Sequence, residues 1–97
     1  MKTVNVTQVP AGAQLIDVRE ADEYAEGHAP TAKLIALSEF TSRVGELDPD
    51  RDIYIICRSG GRSGQACEYL SQAHGLDAIN VAGGTLAWIE AGLPLEK

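Results

Sequence analysis

Apolar residues fall in short blocks along the chain, separated by polar or glycine-rich punctuation. Gln14-Leu15-Ile16-Asp17-Val18 follows Pro10-Ala11-Gly12 and predicts a short buried strand. Glu20 to Glu26 is acidic and tolerates a helix, with Gly27 expected to end it as a left-handed cap. Lys33 to Leu37 predicts another short strand, after which Ser38 reads as a helix N-cap with Glu39 in the first turn. Asp48-Pro49-Asp50 marks a turn. Ile53-Tyr54-Ile55-Ile56-Cys57 is the strongest strand of the chain. It is apolar throughout and β-branched at three positions, as suits a central strand covered on both faces. Ser63 to His74 predicts a helix with Ala66, Cys67, Leu70 and Ala73 on one face and Gly75 as its stop. Ala78 to Ala82 predicts a last strand, and Thr85 to Ala91 a helix closed by Gly92-Leu93-Pro94 in Schellman fashion.

Strands alternating with helices over 97 residues imply one α/β domain spanning 1–97, with a small, mainly parallel sheet and helices on both faces. That length leaves no room for a second core. In such sheets ligands sit beyond the carboxyl ends of the strands, and Cys57 falls at that place. Eight basic against fourteen acidic residues give a net charge of −6, which argues against nucleic acid and against basic attachment to an anionic membrane. No stretch approaches the roughly 20 apolar residues of a membrane helix, and Met1 to Thr7 carries no signal-like apolar core. Two cysteines are too few for a disulfide framework. The expectation is a cytoplasmic, reducing setting without nucleic-acid or membrane partners.

Against that acidic background, Cys57-Arg58-Ser59-Gly60-Gly61-Arg62-Ser63 stands out. Gly60 and Gly61 let the backbone turn so that successive N–H groups face one point. The helix starting near Ser63 adds its unpaired N–H groups and positive dipole end, while Arg58 and Arg62 add charge. The result is an anion cradle around a sulfur atom. The same features favour thiolate over thiol and make Cys57 a candidate nucleophile. Cys57 through Arg62 gives a C-x4-R spacing, one residue shorter than the C-x5-R loop of cysteine phosphatases, and position 63 is Ser. The shorter cradle better fits a cysteine carrying an extra sulfur. A phosphatase or arsenate reductase is the disfavoured alternative.

Four motifs in order carry a resemblance over nearly the whole chain. They are Leu15-Ile16-Asp17-Val18-Arg19-Glu20, Glu23-Tyr24 through Gly27-His28-Ala29-Pro30, Cys57 to Ser63, and Val81-Ala82-Gly83-Gly84 through Trp88 and Ala91-Gly92-Leu93-Pro94. With these the chain resembles a single-domain rhodanese, a sulfurtransferase. The resemblance implies a three-layer rhodanese-like fold and a persulfide on Cys57. Sulfur would pass from a small anionic donor such as thiosulfate to cyanide or a thiol. Arg58, Ser59, Gly60, Gly61, Arg62 and Ser63 would bind the donor, with no metal or organic cofactor. A non-enzymatic persulfide carrier or regulatory module serving a protein acceptor is the alternative the same cradle allows. Thr31 stands where the family often has Gly, and Leu34 and Ala36 replace its frequent Asn and Pro, departures expected to affect the local loop more than the chemistry; Glu23 falls in a region where thiosulfate-specific two-domain relatives carry a basic residue, so the resemblance leaves the donor open.

The remaining polar residues read as structural. Cys67 shares an apolar helix face with Ala66 and Leu70 and packs as a small hydrophobe. The resemblance makes His28 a tie between its loop and the backbone. Asp17 and Arg19 follow an apolar strand and read as supporting structure, paired with each other or with the active-site loop. His74 complements a helix C-terminus, and Trp88 reads as core. The stretch Glu20, Asp22, Glu23 and Glu26 reads as a solvated helix face. Two His and two Cys without ligand spacing give no metal site.

Overall fold

In the computed structural model, which describes residues 1–97, Ile53–Ile56 (β4) is the centre of the sheet and all four of its residues are buried. It runs parallel to Gln14–Asp17 (β2) on one side and Ile79–Val81 (β5) on the other. Lys33–Leu34 (β3) lies outside β2, and Lys2–Val4 (β1) outside β5. The order is β1-β5-β4-β2-β3, with every neighbouring pair parallel. Parallel neighbours need crossovers. Ala21–Glu26 (α1) lies in the first, Gly61–His74 (α2) joins β4 to β5, and Gly84–Glu90 (α3) follows β5.

The uniformly apolar run of β4 hides a period of two. Ile53 and Ile55 pack with Ala66, Cys67 and Leu70 of α2 and with Phe40 and Leu47. Tyr54 and Ile56 pack on the other face with Trp88 of α3, against which Tyr24 of α1 also rests. Ile55 and Ile56 are 0% exposed, and burying each such side chain contributes roughly 1.5–3 kcal/mol. The expected three-layer α/β fold is therefore present, with α2 on one face and α1 and α3 on the other.

Several local expectations change. β1 was not predicted; it is a three-residue edge strand, largely exposed, and lacks the apolar density that marks a buried strand. The helix expected from Ser38 is a 3-10 segment, Leu37–Ser42, capped at Ala36 and followed by a second at Val44–Glu46. Thr41, Ser42, Val44 and Gly45 are weak helix formers, and the tighter turns still bring Phe40 and Leu47 onto the core. Ser38 instead donates to the Glu20 carboxylate at 3.1 Å. The Lys33 strand ends at Leu34, and α2 begins at Gly61, two residues before Ser63, with Ala73 exposed. Gly27 ends α1 at φ 153°, ψ 136°, outside the left-handed well. The chain continues extended there because His28 pairs with Glu96 through reciprocal backbone bonds of 2.9 and 2.8 Å. His28 also stacks on Tyr24 with ring centroids 3.7 Å apart, and its Nδ1 donates to the Tyr24 carbonyl at 2.9 Å. No helix is long and apolar enough to cross a membrane.

Thr31 is the single non-glycine residue with positive φ, at 67°. A β-branched side chain in that conformation crowds the backbone, which gives the departure at this position a physical meaning. Thr31→Gly relieves that strain, and part of the gain is offset by a freer unfolded chain. The variant is expected to be more stable by about 1 kcal/mol, seen as a higher urea midpoint. An unchanged or lower midpoint contradicts it.

Candidate active site

β4 delivers Cys57 to the carboxyl end of the sheet, and α2 starts four residues later. Gly60 between them sits at φ 116°, a conformation open to glycine, and from there its N–H donates to Cys57 Sγ at 3.0 Å. Ser63 Oγ lies 3.3 Å from the same sulfur. Cys57 is 1% exposed and belongs to the apolar cluster on the α2 face of the sheet. The largest surface cleft, about 340 Å³, lies elsewhere, between Pro10, Leu15, Pro30, Trp88 and Pro94.

Ser63 is held in turn. Its Oγ lies 2.5 Å from Asn80 Oδ1 and 3.1 Å from the Gly60 carbonyl, which also accepts from Asn80 Nδ2 at 3.2 Å. A hydroxyl has one proton to give. With a thiol present, Sγ–H can donate to Ser63 Oγ while the hydroxyl donates to Asn80; with a thiolate, the hydroxyl proton can turn to sulfur.

The loop carbonyls are drawn the other way. The Thr85 N–H and Oγ1 donate to the Cys57 carbonyl at 2.8 and 3.0 Å, and the Leu86 N–H donates to the Arg58 carbonyl at 3.1 Å. These donors come from the first turn of α3. They reach the loop because Gly84, at φ 57°, has no side chain; a Cβ there would stand 2.5 Å from the Cys57 carbonyl oxygen. With carbonyls turned out toward α3, the N–H groups are left facing the sulfur.

The two cysteines diverge accordingly. Burial alone pushes the Cys57 thiol up, but the Ser63 hydroxyl and the backbone N–H groups of Ser63, Gly60 and Ser59 outweigh it, and its pKa lies below the ordinary thiol value. Cys67 has burial without those donors and is pushed up to about 11. It packs in the core as expected.

Arg58, Ser59 and Gly61 are exposed around the sulfur, and Arg58 makes no ion pair. Arg62 does: its guanidinium grips both carboxylate oxygens of Glu23 at 2.7 and 2.8 Å. Glu23 is therefore not part of a merely solvated face, and the Arg62 guanidinium holds its carboxyl down at about 2. The Glu23 carbonyl accepts from Arg19 Nη1 at 3.2 Å, and Arg19 Nη2 bonds the fully buried Asp17 at 2.9 Å. Asp17, Arg19, Glu23 and Arg62 thus form one chain of alternating charge from the end of β2 to the loop.

The sequence assigns no part in the site to Asn80, Gly84 or Thr85, and does not pair Glu23 with Arg62. A polar Asn inside an apolar strand and a glycine doublet at a helix start are signals for the first three. Nothing local marks the pairing of Glu23 with Arg62, which spans 39 residues. No group of three or more His, Cys, Asp or Glu side chains converges as a metal site would require.

Two outcomes test this geometry. Gly84→Ala forces a Cβ onto backbone and is expected to cost about 3 kcal/mol of stability in chemical denaturation; a loss below about 1 kcal/mol contradicts the close approach. Alkylation by iodoacetamide follows the thiolate, so the midpoint of its pH profile at Cys57 lies below that of a free thiol. Ser63→Ala moves the midpoint upward and slows alkylation at neutral pH by roughly ten-fold, the worth of one hydrogen bond to a charged acceptor. Cys67 stays silent over the same range.

Residues 5–91 match the family model of the rhodanese-like domain. The chain is 42% identical over 81 residues to a sulfurtransferase of Allochromatium vinosum, covering 84% of this chain and 76% of that protein. It is 34% identical over 103 residues to thiosulfate sulfurtransferase 18 of Arabidopsis thaliana, covering 92% and 76%. A rhodanese-related protein from Thermoplasma volcanium has the same fold, with TM-score 0.91 at 32% identity over 99% of this chain and 98% of that one. The sheet with its strand-loop-helix cradle and these matches agree, and the chain belongs to the rhodanese family.

Proposed function

We propose that this protein transfers sulfane sulfur through a persulfide on Cys57. The observation that carries the reading is a sulfur atom at a strand end, with the Gly60 N–H at 3.0 Å and the Ser63 hydroxyl at 3.3 Å. Those donors stabilise negative charge on sulfur. With thiosulfate as donor, the Cys57 thiolate attacks the outer sulfur, the S–S bond breaks, and sulfite leaves with the bonding electrons. A thiolate or cyanide then attacks the outer sulfur of the persulfide and returns the Cys57 thiolate. Each half transfers one sulfur between nucleophiles, so no external oxidant is consumed and neither a metal nor an organic cofactor is called for. Arg58 supports the donor's anionic end, and Ser59, Gly60, Gly61 and Ser63 line the cradle. Arg62 contributes through its place in the loop, its charge being engaged by Glu23.

A second reading, a carrier passing sulfur to one protein acceptor, draws on a separate observation. Leu86 and Ile89 of α3 are 47% and 51% exposed, and the Leu86 N–H is itself bonded to the active loop. An apolar acceptor surface could rest there beside the sulfur. Slow turnover with small thiols together with fast transfer to one protein would support it. The phosphatase alternative is weaker, because the six-residue loop places Ser at position 63 and its one arginine beyond Arg58 is occupied.

Incubation with thiosulfate or a small persulfide, followed by intact mass measurement, is expected to show a gain of one sulfur atom that maps to Cys57 and is lost in Cys57→Ser. Label on Cys67, or no label with any donor, removes the reading.

A further inference from the structure

We propose that Asn80 is a positioning residue that competes with the Cys57 sulfur for the one proton of the Ser63 hydroxyl, and thereby biases Cys57 toward holding a persulfide over standing as a bare thiolate. This role rests on the persulfide reading of Cys57 and deepens it. It begins at the Gly60 carbonyl, which can only accept. Asn80 reaches that oxygen at 3.2 Å and must therefore turn its Nδ2 amide toward it. The bond fixes the amide's orientation and leaves Oδ1 facing Ser63 Oγ at 2.5 Å. Oδ1 carries no proton, so Ser63 is the donor in that pair. Asn80 is 8% exposed and Ser63 fully buried, which keeps the pair away from bulk water.

A hydroxyl has one proton, and this one is committed to Asn80. What Ser63 Oγ then turns to Cys57 Sγ, 3.3 Å away, is a lone pair. A thiol can donate into it; a thiolate is repelled by it. For a thiolate to gain the Ser63 bond, the proton must leave Asn80, and two oxygens without a proton between them then face each other across 2.5 Å. Leaving a buried acceptor unpaired is costly. A persulfide escapes the conflict. When Cys57 Sγ bonds the outer sulfur of R–S–S⁻, the donor's S–S bond breaks, R–S⁻ leaves with the electron pair, and the negative charge ends on the outer sulfur. Sγ is then neutral, and Ser63 keeps its bond to Asn80. In the reverse step the Cys57 thiolate is the leaving group, and the competition makes it a poorer one. Asn80 thus acts on the empty state through Ser63, without a bond of its own to sulfur.

The charged and titratable groups nearby stand outside this triangle. Arg58 adjoins Cys57 in the chain, Arg62 is clasped by Glu23 of α1, Cys67 of α2 shares the apolar cluster of Cys57, and Asp17 and Arg19 beyond it on the β2 side bind each other. None of these six side chains bonds Asn80 or Ser63, and β5 and the first turn of α3 bring no titratable side chain.

A sulfur-exchange equilibrium read by intact mass tests the role. The protein is incubated with a fixed ratio of 2-hydroxyethyl persulfide to 2-mercaptoethanol, at a pH above the Cys57 midpoint of every variant, until the persulfide-to-thiolate ratio at Cys57 is constant. Asn80→Leu, similar in size but without the amide, is expected to lower that ratio by roughly three-fold or more and to move the Cys57 alkylation midpoint downward, because the hydroxyl proton is released to the thiolate. In a Ser63→Ala background the same substitution is expected to change the ratio by less than about two-fold, there being no proton to compete for. A smaller fall, a rise, a midpoint that stays or climbs, or a larger change in the Ser63→Ala background overturns the role of Asn80, since an effect of packing alone moves both backgrounds alike. Asn80→Ala, which leaves room for water to donate to the Gly60 carbonyl, is expected to follow the same pattern and carries the test if N80L does not fold. Failure of the parent protein to gain sulfur at Cys57 from 2-hydroxyethyl persulfide removes the persulfide reading itself; loading with an unmoved ratio removes only the role of Asn80.

Discussion

A short loop that must gather N–H groups around one atom has to dispose of its carbonyls somewhere else. Here that constraint is met by α3. Its first turn supplies N–H groups that have no partner within their own helix, and three donors from Thr85 and Leu86 take the carbonyls of Cys57 and Arg58. The rest of the site depends on this exchange. It requires α3 to touch the loop at backbone distance, which requires Gly84. It also requires β5 to lie beside β4, so that the chain leaving β5 arrives over the loop leaving β4. The strand order is thus a condition of this geometry: with β5 at the far edge, no helix start would reach Cys57.

Asn80 shows the same economy from the other side. It lies in β5 at the register point opposite Ile55, and its amide reaches both Ser63 and the Gly60 carbonyl. One strand therefore sends a polar side chain into the cradle and then, four residues later, the helix that turns the carbonyls out. Removing a polar group from water without partners costs several kcal/mol, and every buried side-chain nitrogen and oxygen here has one. A cradle satisfied on all sides is held in its geometry by the protein alone.

What could be read in the sequence follows from how local each interaction is. β4 was legible because five consecutive apolar residues leave no other place for it than the interior. The loop was legible because its glycines, arginines and cysteine are contiguous. β1 was not, since an exposed edge strand is held by backbone bonds to β5 that no side-chain pattern records. The 3-10 segments between Leu37 and Glu46 were misread as a helix because Ser38 and Glu39 imitate a helix start, while the weak helix formers that follow decide the outcome. The charge of Arg62 was read as available because its partner lies in another crossover, and only the parallel packing of β2 beside β4 brings Glu23 to it. Composition counts the charges; topology decides which of them are spent on each other.

The two cysteines put this in its sharpest form. Cys57 and Cys67 are both almost wholly buried, at 1% and 2% exposure, and both lie in the same apolar cluster. Burial raises the pKa of each. What separates them is the direction of a few backbone groups: Cys57 ends a strand where amides converge, whereas Cys67 sits mid-helix, where every nearby N–H is already bonded to a carbonyl within its own helix. Seclusion from water therefore does not by itself quench a thiol. In a low-dielectric surrounding an aligned donor acts more strongly than it would in water, so the enclosure that silences Cys67 strengthens each of the bonds that favour the thiolate of Cys57. Burial and orientation together set Cys57 apart, and the orientation comes from a helix start that lies 27 residues further along the chain.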